Sequence, residues 1–287
     1  MNDNLFHGSL VSTQRILYTA SDFARENLLY LQETGTLQAN SPHTSSREKL
    51  SSFLFFLVED GEGKLEYEDI TYLLKKNDCV FINCSHPYAH YTSENALWKL
   101  KWAHFNGPTM THIYEKFLTR SNSPVFATKD SNSFIQLLDK LYLTSQLESF
   151  TRDMEIQEQL STLLTIIMHN GWNEHSETVK GKKAKTVLLV KEYIDSYYTD
   201  KLSLEILANK FYINKSYLAR QFKQQYDTTI NEYILQKRIT HAKQLLRFTD
   251  KTIKSIAKES GFSETNYFSR IFKSVEKHSP KEFRNYW

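Results

Sequence analysis

The sequence predicts an α+β protein in which a β-rich N-terminal region precedes a helical C-terminal third. Three observations support this prediction. Residues 16–105 alternate short apolar segments with turn residues, as in a small all-β barrel or sandwich. From about Ser133 the apolar residues recur with a helical period instead. Near the C-terminus, a seven-residue pattern occurs twice, 50 positions apart, among amphipathic segments.

The β-rich region contains four predicted strands, each a short segment rich in β-branched or aromatic residues. They are 28–31, 53–58, 80–82 and 97–105. Turn signals made of Gly, Asn and Asp separate them. Their spacing predicts a barrel or sandwich that occupies residues 1–130.

Residues 131–170 are predicted to form two amphipathic helices. The second helix has a seam at 4-3-4 spacing, formed by Ile156, Leu160, Leu163 and Ile167. Two interpretations remain open: both helices pack on the barrel of the same chain, or the seam meets a second copy in a homodimer. We predict a helical dimerisation segment, because the seam has no obvious partner within the chain. Residues 171–185 are polar and Lys-rich, which favours a linker.

The charge is divided unequally along the chain. Residues 186–287 contain 18 Lys and Arg against 11 Asp and Glu, a net charge of +7, whereas the preceding residues carry −4. A basic third behind an acidic body indicates that only the C-terminal region meets a polyanion. A solvated basic face would give the same balance, so the prediction of DNA binding depends on the repeat rather than on the charge.

The repeated pattern predicts two helix-turn-helix units within a C-terminal domain, 186–287, at about 204–225 and 253–275. Ser203 and Asn214 are suitable N-caps in the first unit. In the second unit Gly261 permits the turn and Ser263 is the predicted N-cap. The stripe expected to be buried in the second recognition helix consists of Phe268, Ile271, Phe272 and Val275.

Polar residues on the outer faces of the two recognition helices are the predicted DNA contacts, because Arg and Asn can bond base edges and Lys, Ser and Thr suit phosphates. They are Lys215, Ser216, Arg220 and Lys223 in the first unit, and Thr265, Asn266, Ser269, Arg270 and Lys273 in the second. A helix predicted from Ile230 to Leu246 lies between the units. It would span roughly 26 Å, which suits recognition helices about one DNA turn apart.

The last 100 or so residues contain a series of specific motifs. They are Arg238-Ile239, Ala242, Leu245-Leu246, Gly261-Phe262, Tyr267-Phe268, Phe272-Lys273 and Ser279-Pro280. This series resembles the AraC/XylS family of bacterial transcriptional regulators. Segments 73–78, 87–90 and 98–107 resemble, less strictly, the cupin-like effector and dimerisation domain of that family. The resemblance implies a sensor that binds a small metabolite, often a sugar, and alters how paired DNA-binding domains occupy a promoter.

Three positions depart from the family pattern. Tyr212 stands where the first turn usually has Gly, which predicts a turn that is strained or differently shaped, at a cost of about 1 kcal/mol. Tyr226-Asp227 replaces the usual Thr-Gly after the first recognition helix, and Lys277 stands where the second unit usually has Gly. These departures bear on the aim of the first recognition helix more than on the fold.

Side chains of the barrel are the candidates for effector binding. Alternation along 98–104 places two Trp and one His on one face, where they form either plain core or the wall of a cavity in which an indole stacks on a sugar ring. The predicted effector site consists of Arg47, Tyr88, His90, Trp98, Trp102 and His104. His86, His90 and His104 could bind zinc, but no His-x-His pair occurs. We therefore expect neither metal nor cofactor, and no enzymatic activity.

Three function classes are compatible with these patterns: an effector-responsive regulator, a regulator whose barrel serves only for dimerisation or partner contact, and, distantly, a metal-dependent cupin enzyme fused to a DNA-binding tail. The predicted partners are double-stranded promoter DNA, a small-molecule effector such as a sugar, a second copy of the chain and, for an activator, RNA polymerase. The chain has two cysteines, and no apolar run approaches the roughly 20 residues of a transmembrane helix. These features predict a reduced, cytoplasmic protein.

Overall fold

The computed structural model describes residues 10–171 and 181–286, and it divides the chain into two units, 1–174 and 175–287. The strands of the first unit are β1 (Val11–Leu17), β2 (Tyr30–Ala39), β3 (Thr44–Arg47), β4 (Phe53–Asp60), β5 (Glu62–Tyr67), β6 (Ile70–Lys75), β7 (Asp78–Asn83), β8 (Tyr88–Thr92), β9 (Lys99–Asn106) and β10 (Val125–Ala127). Its helices are α1 (Asp22–Asn27), α2 (Met110–Ser121), α3 (Ser131–Thr144) and α4 (Arg152–Asn170).

The second unit consists of helices throughout its described part. They are α5 (Gly181–Tyr197), α6 (Leu204–Lys210), α7 (Lys215–Tyr226), α8 (Ile230–Phe248), α9 (Ile253–Glu259), α10 (Thr265–Glu276) and α11 (Pro280–Tyr286). A β-rich first unit before a helical second unit confirms the predicted α+β class. Within the described ranges, no helix is long and apolar enough to cross a membrane.

Two antiparallel sheets pack against each other in the first unit. The larger has the strand order β1-β2-β9-β4-β7-β10, and the smaller has the order β3-β8-β5-β6. Strand β4 lies inside the larger sheet and is buried on both faces, which explains its uninterrupted apolar run from Phe53 to Val58. Alternate β4 side chains contact the smaller sheet on one face and a helical layer on the other.

The predicted dimer seam lies in the core of its own unit. Side chains of α2, α3 and α4 form one apolar cluster with those of β4, β7 and β9. The seam residues Ile156, Leu160, Leu163 and Ile167 belong to this cluster, and none is more than 1% exposed. The premise that the seam lacks a partner within the chain is therefore wrong. These helices pack on their own barrel, which is the first of the two interpretations above.

Most of the segment predicted as a linker lies outside the described ranges. Residues 172–180 of that segment are not described, whereas α5 begins at Gly181. The prediction is therefore wrong for residues 181–185, which belong to a helix. Lys-rich composition is compatible with helix as well as with linker, and α5 continues into an apolar stripe at Val187, Val190 and Ile194.

The long helix α8 connects two small cores in the second unit. Ile230 and Ile234 pack with residues of α5, α6 and α7, while Ile239 and Leu246 pack with residues of α9 and α10. A capping box at Thr229 begins the helix, which ends two residues later than predicted. Its 19 residues give a length of about 28 Å. Each helix-turn-helix unit thus has its own core, and one continuous helix carries both.

Candidate functional site

The two helix-turn-helix units are built to the same dimensions. Helices α6 and α9 have 7 residues each, and α7 and α10 have 12 residues each. Both second helices end at a left-handed residue, Asp227 with φ 56° and Lys277 with φ 67°. These are two of the positions at which the sequence departs from the expected Gly, so the departures leave the backbone conformation intact.

Local hydrogen bonds define where the helices begin. The Ser203 hydroxyl accepts from the Ile206 amide at 3.2 Å, and the Asn214 side chain accepts from the Tyr217 amide at 3.0 Å, as predicted. The predicted cap at Ser263 is wrong, because α10 begins at Thr265 with Glu264 in the cap position and no side-chain capping bond. The second turn is therefore one residue longer than the first.

Apolar positions fix which faces of the recognition helices point outward. Leu218 and Phe222 of α7, and Phe268 and Phe272 of α10, are fully buried. Val275 was predicted to complete the second stripe, but it is 47% exposed because α10 reaches its last turn there. The predicted DNA contacts are exposed, except Thr265 and Ser269, which are half-buried.

Each recognition helix carries an arginine stacked on a tyrosine one turn earlier. The Arg220 guanidinium carbon lies 5.8 Å from the centroid of the Tyr217 ring, and the Arg270 carbon lies 5.7 Å from that of Tyr267. The two pairs are 50 residues apart in sequence. A guanidinium held on an aromatic face keeps its donors free at the edge. This arrangement pre-orients both arginines on the outer faces.

The turns of the two helix-turn-helix units have the same backbone conformation at equivalent positions, which different residues occupy. Tyr212 has φ 51° and Gly261 has φ 84°, so both are left-handed. Of the two predicted outcomes for the first turn, the structure shows the strained one, and Gly261 has the positive φ expected of it. The Tyr212 side chain is 98% exposed and contributes little packing. A Cβ on Gly261 would lie 2.7 Å from the Thr199 carbonyl oxygen and 2.9 Å from Nε of Arg238. The second turn therefore needs glycine for space as well as for conformation.

Arg238 of α8 ties the second turn to the loop before α6. Its Nε donates to the Tyr198 carbonyl and its Nη2 to the Asp200 carbonyl, each at 2.7 Å. The same guanidinium carbon lies 5.8 Å from the Phe262 ring centroid. Arg238 thus links parts of both helix-turn-helix units. The sequence showed it only as a motif residue, because its partners are backbone carbonyls far along the chain.

A cavity of about 400 Å³ lies between the two sheets of the first unit. Strand register places Arg15, Gly35, Trp102 and Phe56 in one row across β1, β2, β9 and β4. Because Gly35 has no side chain, Arg15 extends over Trp102, and its guanidinium carbon lies 5.4 Å from the indole centroid. The row forms one wall of the cavity.

A second row and the opposite sheet complete the cavity. Glu33 pairs with His104 in register, and its carboxylate lies 3.3 Å from the Arg15 guanidinium. The Ser52 hydroxyl hydrogen bonds with Nδ1 of His104 at 2.9 Å. From the smaller sheet, the lining residues are Ser45, Arg47, Tyr88 and His90. The cavity therefore combines an apolar floor with polar groups on two walls, as small-molecule sites do.

Both histidines of the cavity are neutral at neutral pH. Burial, with repulsion from His43 and Arg47, lowers the pKa of His90 to about 3. Burial, with repulsion from Arg47 and Arg15, lowers the pKa of His104 to about 4. Nδ1 of His90 is buried without a hydrogen-bond partner in the described part of the chain. A neutral imidazole can donate or accept, so this atom suits a ligand hydroxyl.

Five of the six predicted effector residues line this cavity: Arg47, Tyr88, His90, Trp102 and His104. Trp98 does not, which corrects its assignment. It is fully buried in the core between the sheets, with its ring against Gly63. Trp98 precedes β9 and so lies beyond the row that faces the cavity. His86 instead lies 3.7 Å from Glu68, and the described residues contain no cluster of three or more His, Cys, Asp or Glu suited to a metal.

Comparison with known proteins identifies the family. The AraC-like ligand binding domain matches residues 32–177, which include most residues that line the cavity, and a helix-turn-helix domain matches residues 207–286. The chain belongs to the AraC family of transcriptional regulators. The family assignment made from the sequence is thereby confirmed.

Individual relatives fall into two groups by coverage. The Msm operon regulatory protein of Streptococcus mutans is 24% identical over 81% of this chain and 84% of its own length. The lactose operon transcription activator of Staphylococcus xylosus is 24% identical over 80% of this chain and 83% of its own length. The regulator YijO of Escherichia coli K12 is 38% identical, but the match spans 33% of this chain and 34% of YijO. The higher identity thus belongs to a match that covers about a third of each chain.

Proposed function

We propose that the protein is a sequence-specific transcriptional regulator that reads two adjacent DNA segments through α7 and α10. The observation that carries the proposal is the duplicated Tyr–Arg stack, Tyr217 with Arg220 and Tyr267 with Arg270, on two exposed helix faces of equal length. Arginine can bond the O6 and N7 edge of guanine with two parallel hydrogen bonds. A pre-oriented guanidinium loses less entropy when it makes them.

The spacing of the target follows from α8. A rigid helix of about 28 Å between the two cores fits recognition helices in neighbouring major grooves, which lie about 34 Å apart. The nine predicted contact residues then divide into base-reading and phosphate-binding groups. Arg220, Arg270 and Asn266 have the chemistry for base edges, whereas Lys223 and Lys273 suit phosphates.

Selection of duplexes from a random library by the purified full-length protein tests this proposal. We expect a two-part motif with centres about one helical turn apart. Arg220→Ala should erase sequence preference in one part and Arg270→Ala in the other, while Lys140→Ala, an exposed change in the first unit, should leave the motif unchanged. Unselective binding by the wild-type protein at physiological salt would contradict the proposal.

For the first unit we propose a small carbohydrate effector in the cavity between the sheets. The volume of about 400 Å³ falls in the range of small-molecule sites, and its wall has one indole and several hydrogen-bonding groups. The name of the Staphylococcus xylosus relative, a lactose operon activator, supports this ligand class. The alternative, a barrel that serves only for contact with a partner, leaves the cavity and the buried Nδ1 of His90 without a role.

A thermal-shift screen of the full-length protein against monosaccharides and disaccharides tests the effector proposal. A ligand at a hundred times its Kd stabilises the unit that binds it by about 2.7 kcal/mol. Trp102→Ala should abolish the shift, because it removes the stacking surface. Leu143→Ala, an exposed change on α3, is the matched control and should keep it. A screen in which no sugar shifts the transition would leave the DNA-binding proposal intact and remove this one.

Location and partners follow from the proposed target. A protein that binds promoter DNA works in the bacterial cytoplasm, and RNA polymerase is the further partner if the protein activates. Both thiols are free and buried, and burial raises the pKa of Cys84 to about 12, which makes it unreactive. We do not retain a dimer through the α4 seam, because those side chains are internal.

A further inference from the structure

We infer that the effector is an anionic carbohydrate, a sugar that carries one carboxylate or phosphate group, and that Arg47 binds this group. The inference rests on the proposed sugar site and narrows its ligand class. It starts from the charge of the cavity wall. The charged side chains among the lining residues are Arg15, Glu33 and Arg47, because both histidines are neutral.

One of the two guanidinium groups already has a carboxylate beside it. Arg15 lies 3.3 Å from Glu33 and covers the Trp102 indole, so it is part of the wall. Burial raises the pKa of Glu33, against the lowering effect of Arg15 and Arg47. The carboxylate cancels the Arg15 charge when it is ionised and leaves that charge in place when it is protonated. The wall is therefore positive in either protonation state of Glu33, and Arg47 is the guanidinium that this ion pair does not include.

Arg47 is an exposed lining residue of the cavity at the edge of the smaller sheet. It is the last residue of β3, an edge strand of the smaller sheet, opposite Tyr88 in register. Its Nη1 donates to the Ser46 carbonyl at 2.8 Å, which leaves other donors of the fork for a ligand. Burial is the main cause of the low pKa of His90 and of His104, and the Arg47 charge lowers both further.

The remaining polar groups suit hydroxyls rather than a second charge. Nδ1 of His90 and the amide oxygen of Gln32 are buried without hydrogen-bond partners among the described residues. Tyr88 and Ser45 also line the cavity. A sugar ring against this wall can place hydroxyls on these atoms and its acid group on Arg47. A neutral sugar would leave Arg47 without an anionic partner in the ligand, and an aliphatic acid would leave the buried hydrogen-bonding atoms unsatisfied.

Calorimetric titration of the full-length protein with matched sugars tests the inference. The probes are glucose, glucuronate and glucose 6-phosphate, then galactose and galacturonate, with octanoate as a non-sugar acid. We expect at least one acidic sugar to bind about tenfold or more tighter than its neutral partner, with an affinity that falls as salt rises. The carboxylate and phosphate arms distinguish the two sources of charge.

Variants of Arg47 separate its role from general effects. Arg47→Gln should weaken the acidic sugar about 10- to 100-fold and leave the neutral sugar within about twofold. Arg47→Lys keeps the charge but loses the forked pair of donors, so its affinity for the acidic sugar should lie between those of the wild type and Arg47→Gln. The control Lys76→Gln removes an exposed cation outside the cavity and should change neither.

The outcomes distinguish this inference from the proposed function. Neutral sugars that bind as tightly as their acids, or an Arg47→Gln variant that keeps the preference, overturn the inference and leave the sugar effector in place. Tighter binding of octanoate than of every sugar overturns the carbohydrate class. Absence of binding by all the probes removes the sugar effector and the inference together, while the DNA selection experiment stands apart.

Discussion

Substitutions at the two left-handed turn positions should change stability in opposite directions. In Gly261→Ala the new Cβ meets the Thr199 carbonyl oxygen at 2.7 Å and Arg238 at 2.9 Å, at a φ of 84°. Left-handed strain costs about 1 kcal/mol, and displacement of Arg238 weakens its two hydrogen bonds. We therefore expect the free energy of unfolding of the second helix-turn-helix unit to fall by about 2–4 kcal/mol. In Tyr212→Gly the exposed ring takes no packing with it. Glycine relieves about 1 kcal/mol of backbone strain and costs about 0.5 kcal/mol because the unfolded chain becomes more flexible. The substitution should therefore stabilise the first helix-turn-helix unit slightly.

Hydrogen–deuterium exchange of the full-length protein measures each unit separately, which a single melting curve does not. In Gly261→Ala, amides of α9 and α10 should exchange about 30-fold faster or more, since each 1.4 kcal/mol gives a factor of ten. In Tyr212→Gly, amides of α6 and α7 should exchange at the same rate or more slowly. Unchanged exchange in Gly261→Ala, or faster exchange in Tyr212→Gly, would refute the reasoning about the turns.

Three further predictions concern the recognition helix, the former seam and pH. Arg270→Ala should lower the binding free energy for the selected site by about 1–3 kcal/mol and relax the preference for its bases. Lys273→Ala should weaken binding to all duplexes alike in anisotropy titrations. An equal loss of affinity on every sequence for both variants would identify Arg270 as a phosphate contact. Leu160→Ala should lower the free energy of unfolding of the first unit in urea by about 2–5 kcal/mol because the side chain is fully buried, while Leu143→Ala, at an exposed position, should change it little. A changed sedimentation coefficient with unchanged stability would instead support a dimer through the seam. Asp195 accepts from Lys191, Lys237 and Tyr233, and these bonds outweigh the effect of burial and hold the pKa of Asp195 at about 2. Its contribution to stability is therefore full above about pH 4 and lost as pH falls toward 2. In Asp195→Asn, the exchange rates of α5 and α8 amides should depend less on pH in that range.

The sequence predicted the helical unit well, because each helix carries its own signals. Ser203 and Asn214 cap α6 and α7 as expected, and the buried residues of α7 recur at helical spacing. The errors lie at ends, where local signals compete. Ser263 is a good cap residue in isolation, but the longer second turn makes Glu264 the cap.

The β-rich region was predicted only where burial is greatest. The four predicted strands correspond to parts of β2, β4, β7 and β9, which are adjacent inside the larger sheet. Strand β3 of the smaller sheet, with the sequence Thr-Ser-Ser-Arg, has too few apolar residues to be recognised. The α4 seam was misread for a related reason: its period shows that one face is buried but not what covers it.

The cavity shows most clearly what one sequence leaves undetermined. Alternation along β9 identified Trp102 and His104, since residues of one strand share a face by geometry alone. Arg15 and Glu33 join them through register across three strands, and a shift of one residue would have turned both away. Within this row, Gly35 is the residue whose type gives a signal in the sequence. A side chain at that position would fill the space that Arg15 occupies over the indole. The charge balance that points to an anionic effector is therefore a property of strand pairing rather than of any local motif.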